Sequence, residues 1–208
     1  MLSDSIKGKL IIFAAPSGAG KSSLIKKIID SSGGKIELSV SVTTRSPRVG
    51  EEHGKDYFFV TDEEFHALKT DNAFIEHATV HEYQYGTLKT YIDEKTSSGK
   101  DIILDIDVQG YEQIKKSFAD TISIFILPPS LEELEKRLKD RGLDSENVIK
   151  KRLVNAKSEL KYAENFDHIL VNDNFEKTFE YLKLIIFDEK KSYDYRKSTN
   201  ILKDLLDK

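Results

Sequence analysis

Leu10-Ile11-Ile12-Phe13-Ala14-Ala15-Pro16-Ser17-Gly18-Ala19-Gly20-Lys21-Ser22-Ser23 is the stretch that decides the fold. Its first five residues are apolar without alternation, which predicts a strand buried on both faces, as in a parallel sheet. A Gly-rich turn follows, and then Leu24, Ile25, Ile28 and Ile29 recur at helical spacing until Gly33-Gly34 stops the run. From Ala15 to Ser22 the residues match the phosphate-loop pattern G-x-x-x-x-G-K-[ST], with Ala15 in the first glycine position. That chemistry needs a tight turn whose backbone N–H groups converge on phosphate oxygens at the start of a helix. Lys21 then reaches the outer phosphates, and Ser22 supplies a hydroxyl for Mg²⁺.

Outward from the loop, further buried strands are expected at 102–106, 122–127 and 168–171, each separated from the next by helical sequence. This alternation points to an α/β fold with a mostly parallel central sheet. The segment from about Ile36 to Thr87 differs. Ser39 to Val42 alternates, Tyr57-Phe58-Phe59-Val60 is a short aromatic strand, and Thr61 with Glu64 forms a capping box for a helix carrying Phe65 and Leu68. We read it as a small, partly antiparallel subdomain inserted into the core. Ser130 with Glu133 makes a second capping box, ahead of Leu131, Leu134 and Leu138, and Gly142 ends that helix. The next helix is expected from about Glu146 to Ala163, with Val148, Leu153, Ala156 and Leu160 as its apolar stripe. A last one begins near Phe175, and Ile201, Leu202, Leu205 and Leu206 allow a final turn or two in the charged tail.

Composition narrows the function. The 208 residues carry a net charge of −4, which argues against a general nucleic-acid or membrane binder. There is no cysteine, so disulfides and thiolate metal sites are excluded, and a reducing cytoplasm suits the chain. Lys7 and Lys9 ahead of Leu10–Ala15 imitate the start of a signal peptide, but the apolar core is too short, and nothing approaches the ~18 apolar residues of a membrane span.

The second informative cluster is Ser41-Val42-Thr43-Thr44-Arg45-Ser46-Pro47-Arg48, continuing through Glu51 to His53-Gly54-Lys55-Asp56-Tyr57. Arg45 and Arg48, three apart around a proline, can converge two guanidinium forks on one phosphate. Taken alone, the pair is equally compatible with a solvated loop. With Phe74-Ile75-Glu76-His77-Ala78, Tyr85-Gly86-Thr87, Leu104-Asp105-Ile106-Asp107-Val108-Gln109-Gly110, Lys136-Arg137-Leu138, Arg141-Gly142, Lys151-Arg152-Leu153 and Val171-Asn172-Asp173, however, the chain resembles the guanylate kinase family of bacterial type from about Gly8 to Ile186.

The resemblance implies a phosphate-loop kinase that transfers a phosphoryl group from ATP to GMP with Mg²⁺, with acceptance of dGMP left open and oligomeric state left open between monomer and homodimer. It implies a core at 8–34, 89–127 and 166–208, a GMP-binding subdomain at 35–88 and a helical lid at 128–165, with hinges near Lys35, Thr87–Lys89 and Pro128-Pro129. ATP would lie on Ala15, Pro16, Ser17, Gly18, Ala19, Gly20, Lys21, Ser22 and Ser23, with Arg137 on adenine and Asn172 nearby. Arg45, Arg48, Tyr57 and Tyr85 would hold the GMP phosphate. Glu76, helped by Asp107, would accept from guanine N1–H and N2–H₂, while Ser41 and Thr87 would donate to O6. Lys21, Arg45, Arg137, Arg141 and Arg152 would neutralise charge during transfer. Ser22 and Asp105 would serve Mg²⁺, although the division of labour between Asp105 and Asp107 is open.

Three other functions fit parts of the pattern. A kinase for AMP, dTMP or a ribosyl phosphate would share the loop but not Glu76, Ser41 and Thr87. A scaffold-type binding module would have no need of an intact Gly18, Gly20, Lys21 and Ser22. A hydrolase using water as acceptor would have no use for Arg45 and Arg48.

Overall fold

The computed structural model describes residues 7–80, 82–118, 121–142, 144–188 and 196–207. In chain order the elements are β1 (Leu10–Ala14), α1 (Lys21–Ser31), β2 (Ile36–Leu38), β3 (Val42–Thr43), β4 (Phe58–Phe59) and α2 (Asp62–Thr70). There follow β5 (Phe74–Val80), β6 (Tyr83–Leu88), α3 (Lys89–Ser97), β7 (Asp101–Asp105) and α4 (Val108–Ser117). The chain continues with β8 (Thr121–Leu127), α5 (Leu131–Asp140), α6 (Glu146–Leu160), β9 (His168–Val171), α7 (Phe175–Phe187) and α8 (Arg196–Leu206). A five-stranded sheet in the order β2-β7-β1-β8-β9 and a four-stranded sheet in the order β4-β3-β6-β5 carry the α/β architecture. Every residue of β1 is buried, as its unalternating sequence requires. The chain divides into two compact units, Met1–Leu10 with Lys35–Thr121 and Ile11–Gly34 with Ile122–Lys208.

In the first unit β2 and β7 pair in parallel, Ile36 opposite Asp101. The small sheet is partly antiparallel: β3 runs parallel to β4 but antiparallel to β6, and β6 antiparallel to β5. Its apolar face closes over Val42, Phe65 and Phe74, with the Phe65 and Phe74 rings stacked at 4.6 Å. The Thr61 capping box is complete: Glu64 N–H donates to Thr61 Oγ1 at 3.2 Å and Thr61 N–H to Glu64 Oε2 at 2.8 Å. Two satisfied N–H groups and three acidic residues in the first turn set the start of α2.

In the second unit β8 and β9 pair in parallel, with Ile124 opposite His168. Helices α5 and α6 pack through Leu134, Leu138, Ile149 and Ala156, with Leu153 half-buried against them. Three expectations change here. The α6 stripe begins at Ile149, while Val148 is 39% exposed, because spacing from Ala156 and Leu160 selects Ile149 of two adjacent apolar residues. The box at Ser130 is half a box: Ser130 Oγ accepts from Glu133 N–H at 3.1 Å, but the Glu133 carboxylate is turned to Arg137. The tail forms α8, a full three turns, with Leu202 and Leu205 buried.

Candidate functional site

The loop that matches the phosphate-loop pattern is built where β1 hands over to α1. Gly18 and Gly20 have φ of 96° and 95°, the left-handed region that favours glycine. Ala15 is not among the positive-φ residues, so the first loop position makes no conformational demand for glycine and its methyl group is accommodated. Ala19 N–H donates to the Pro16 carbonyl at 3.0 Å, tightening the turn. Gly20 stands at the N-cap of α1 without a side-chain cap, and the first turn of α1 has no acidic residue. The positive end of α1 therefore carries no acid of its own, in contrast to α2, whose first turn holds three.

Several side chains brace this loop from within the same unit. Asn172, 5% exposed, donates from Nδ2 to the Ala19 carbonyl at 2.8 Å. It leaves no room at Gly20, where a Cβ would come 2.3 Å from Asn172 Nδ2. Arg137 donates to Glu133 Oε1 and to the Asn172 carbonyl, both at 3.0 Å. Arg152 reaches Ser17 Oγ at 2.9 Å and Asp144 Oδ1 at 3.3 Å. Arg141 lies exposed at the C-cap of α5, one residue past the helix. Ser17, Ser22 and Ser23 are exposed and Lys21 half-buried. The structure thus brings Arg152 and Asn172 to the loop, with Arg137 bonded to Asn172 behind it. Asp144, which orients Arg152, has no role legible in the sequence, whereas Glu133, expected to close a capping box, orients Arg137 at the (i, i+4) spacing that signals such a pair.

In the other unit, Arg45 is nearly buried and forms a two-pronged pair with Glu51, at 2.8 and 2.9 Å. Its guanidinium also donates to the Ser46 carbonyl at 2.8 Å and lies 5.3 Å from the Tyr57 ring centroid. The Tyr57 and Tyr85 rings meet edge to face at 6.1 Å. Glu51 additionally accepts Arg48 N–H at 2.7 Å, while the Arg48 side chain stays exposed. Glu51 raises the pKa of Arg45, with a further contribution from Tyr85; Arg45 and then the Arg48 amide lower that of Glu51. Burial raises the Tyr57 phenol. Sequence reasoning placed Glu51 in the motif without a role; its spacing from Arg45 carries no periodic signal.

The same unit holds the residues expected from sequence to meet the base. Glu76 on β5 is 4% exposed and sits opposite Thr87 on β6, whose hydroxyl donates to Glu76 Oε1 at 2.7 Å. Burial pushes the Glu76 carboxyl up to about 7; the Thr87 hydroxyl opposes this and the Asp107 carboxylate adds to it. The Thr87 proton is thus engaged by Glu76 rather than by an outside acceptor. Asp107 caps α4, accepting from Gln109 and Gly110 N–H at 3.0 and 2.9 Å. Asp105, two residues earlier, is exposed at the end of β7. Ser41 is half-buried beside β3. No cluster of three or more His, Asp or Glu suited to a metal occurs among the described residues.

Residues 7–189 match the model of the family described as guanylate kinase. The guanylate kinase of Legionella pneumophila (strain Paris) is 48% identical over 186 residues, covering 89% of this chain and 88% of that protein. That of Haemophilus influenzae (strain 86-028NP) is 48% identical over 199 residues, covering 94% and 95%. Among solved structures, the crystal structure of guanylate kinase from Anaplasma phagocytophilum superposes with a TM-score of 0.72 at 33% identity, over 90% of this chain and 89% of that one. With so much of the chain matched by a family model and by relatives of nearly equal length, this chain belongs to the guanylate kinase family.

Proposed function

We propose that this chain transfers the terminal phosphoryl group of ATP to GMP, giving ADP and GDP. The observation that carries the choice of base is Glu76: a carboxylate 4% exposed, acted on by the Thr87 hydroxyl and the Asp107 carboxylate with no cation among them. Burying such a group is costly. A ligand edge that brings two donors, guanine N1–H and N2–H₂, relieves that cost, whereas adenine presents an acceptor there. Rejection by ~10⁴ or more is within reach of a site built this way.

In this reading the loop from Ala15 to Ser23 holds the ATP phosphates through its amides and Lys21, braced by Asn172. Arg137 flanks adenine. The GMP phosphate replaces the Glu51 carboxylate on Arg45 or shares Arg45 with it, supported by Arg48 and the Tyr57 and Tyr85 hydroxyls. Glu76 with Asp107 takes the guanine donors, and the Ser41 hydroxyl donates to O6, while the Thr87 proton stays engaged by Glu76 instead of reaching O6. A GMP phosphate oxygen attacks the γ-phosphorus in line, and the bond to the ADP oxygen breaks. Lys21, Arg45, Arg137, Arg141 and Arg152 answer the charge on the three equatorial oxygens. Mg²⁺ carried by ATP neutralises outer-phosphate charge; an ion so held asks for only one or two protein oxygens, a demand that the exposed Ser22 hydroxyl and Asp105 carboxylate fit in kind. Residues 35–88 serve as the acceptor subdomain and 128–165 as the lid. No helix of the described residues is long and apolar enough to cross a membrane, and the cytoplasm, where both nucleotides occur, is the proposed compartment.

The test is ADP formation with ATP and Mg²⁺, offering GMP, AMP, dTMP and no acceptor in parallel. Turnover with GMP alone is expected. Turnover with another acceptor overturns the guanine pocket, and ADP release without any acceptor overturns the kinase reading.

A further inference from the structure

We propose that Gly110 and Gln113, three apart on one face of α4, are positioning residues that set the Glu76 carboxylate for guanine; the proposal rests on the reading of Glu76 above. Strand β5 is the outermost strand of its sheet, so one side of its backbone has no strand partner among the described residues. Gln113 supplies one. Its Oε1 accepts from His77 N–H at 3.1 Å and its Nε2 donates to the His77 carbonyl at 2.7 Å, the pair of bonds a neighbouring strand would make. The two peptide groups so clamped flank His77, and the first of them joins it to Glu76. On the preceding side the β5–β6 register shifts between Phe74 and Glu76, so Glu76, paired with Thr87, is the first residue of the regular ladder and follows directly on an irregularity.

Gly110 acts through what it lacks. A Cβ built there would come 2.6 Å from Glu76 Oε2 and 3.3 Å from Glu76 Cδ, so the carboxylate occupies the space that any side chain would need. The nearest atom is the far end of a flexible side chain, and an added methyl group would push the carboxylate aside rather than disrupt backbone. Gly110 N–H is meanwhile held by Asp107, which fixes the first turn of α4 against this carboxylate. Glu76 Oε1 is held by Thr87, Oε2 is placed by the gap at Gly110, and its strand is tied down by Gln113.

Gly110→Ala separates this role from a structural one, because alanine favours the helix over glycine. The readouts are the thermal midpoint, KM for GMP, KM for ATP, and the ratio of kcat/KM for GMP to that for inosine monophosphate, which lacks the 2-amino group. Gly110→Ala is expected to keep or raise the midpoint, raise KM for GMP ~10-fold and lower the GMP-to-inosine ratio ~10-fold, with KM for ATP unchanged. Gln113→Ala should move the same two quantities in the same direction. If wild type discriminates strongly and Gly110→Ala leaves both quantities unmoved, the positioning role is refuted while the reading of Glu76 stands. If wild type does not discriminate, the reading of Glu76 fails and takes the proposal with it.

Discussion

Replacing Glu76 with Gln should make the protein more stable and less able to use GMP, and the size of the first effect follows from burial. The carboxyl is moved from 4.5 to about 7, chiefly by burial and in part by Asp107. Between these values the folded chain keeps a proton that the unfolded chain has lost. The stabilisation associated with that proton is therefore full below pH 4.5 and is lost as pH rises through 7. At ~1.4 kcal/mol per pH unit, the ionised group costs the folded state about 3 kcal/mol at pH 8 but only ~0.2 kcal/mol at pH 4. Glutamine has nearly the same shape, offers an oxygen to the Thr87 hydroxyl and carries no charge. Glu76→Gln should thus gain up to about 3 kcal/mol at pH 8, or roughly 6–12 °C in midpoint for a chain of this length, and almost nothing at pH 4. Urea denaturation of both proteins from pH 4 to 8 measures it. A difference that is constant across this range, or that grows toward acid, would refute the account of a buried and unneutralised carboxylate.

Lys21→Met should lower kcat ~10³-fold, since in the proposed reading its charge answers that of the transferring phosphoryl group; steady-state kinetics on protein shown by its melting curve to be folded checks it. Arg45→Ala should raise KM for GMP ~10²-fold and leave KM for ATP alone, because the guanidinium it removes belongs to the acceptor cluster. Asn172→Ala removes the donor to the Ala19 carbonyl and should raise KM for ATP ~10-fold without changing KM for GMP. As a control away from the site, Asp167→Ala leaves the buried Ser123 N–H and hydroxyl without the carboxylate they share at 3.0 and 2.6 Å. It should cost about 1–3 kcal/mol in denaturant titration with both KM values unchanged.

These effects fall on residues of unequal legibility. The loop and β1 can be read from sequence because a run of five buried residues and a glycine turn with Lys21 admit few other structures. Arg45, Tyr57 and Tyr85 could be placed together only with the family resemblance, since their spacing obeys neither helical nor strand period. Local pattern fails where two partners compete. Val148 and Ile149 are equally apolar, and packing against α5 selects between them. Glu133 is three residues after a Ser and four before an Arg, and the guanidinium takes its carboxylate in preference to the cap. Glu51, Gly110 and Gln113 are harder still: Glu51 bonds Arg45 at no regular period, Gly110 works by leaving space, and Gln113 bonds a distant strand. His77 and Gln113 lie 36 positions apart, and nothing in either stretch announces that one amide will stand in for a strand. Sequence displays the groups that can bond a base, and a carboxylate such as Glu76 is visible there. Choosing between bases, however, depends on where that carboxylate is held to within a few tenths of an ångström. In this fold that position is set by an edge strand, a side-chain clamp and a missing methyl group. A glycine chosen for empty space leaves no chemical mark in the sequence, so the specificity of such a site is written partly in residues that never touch the substrate.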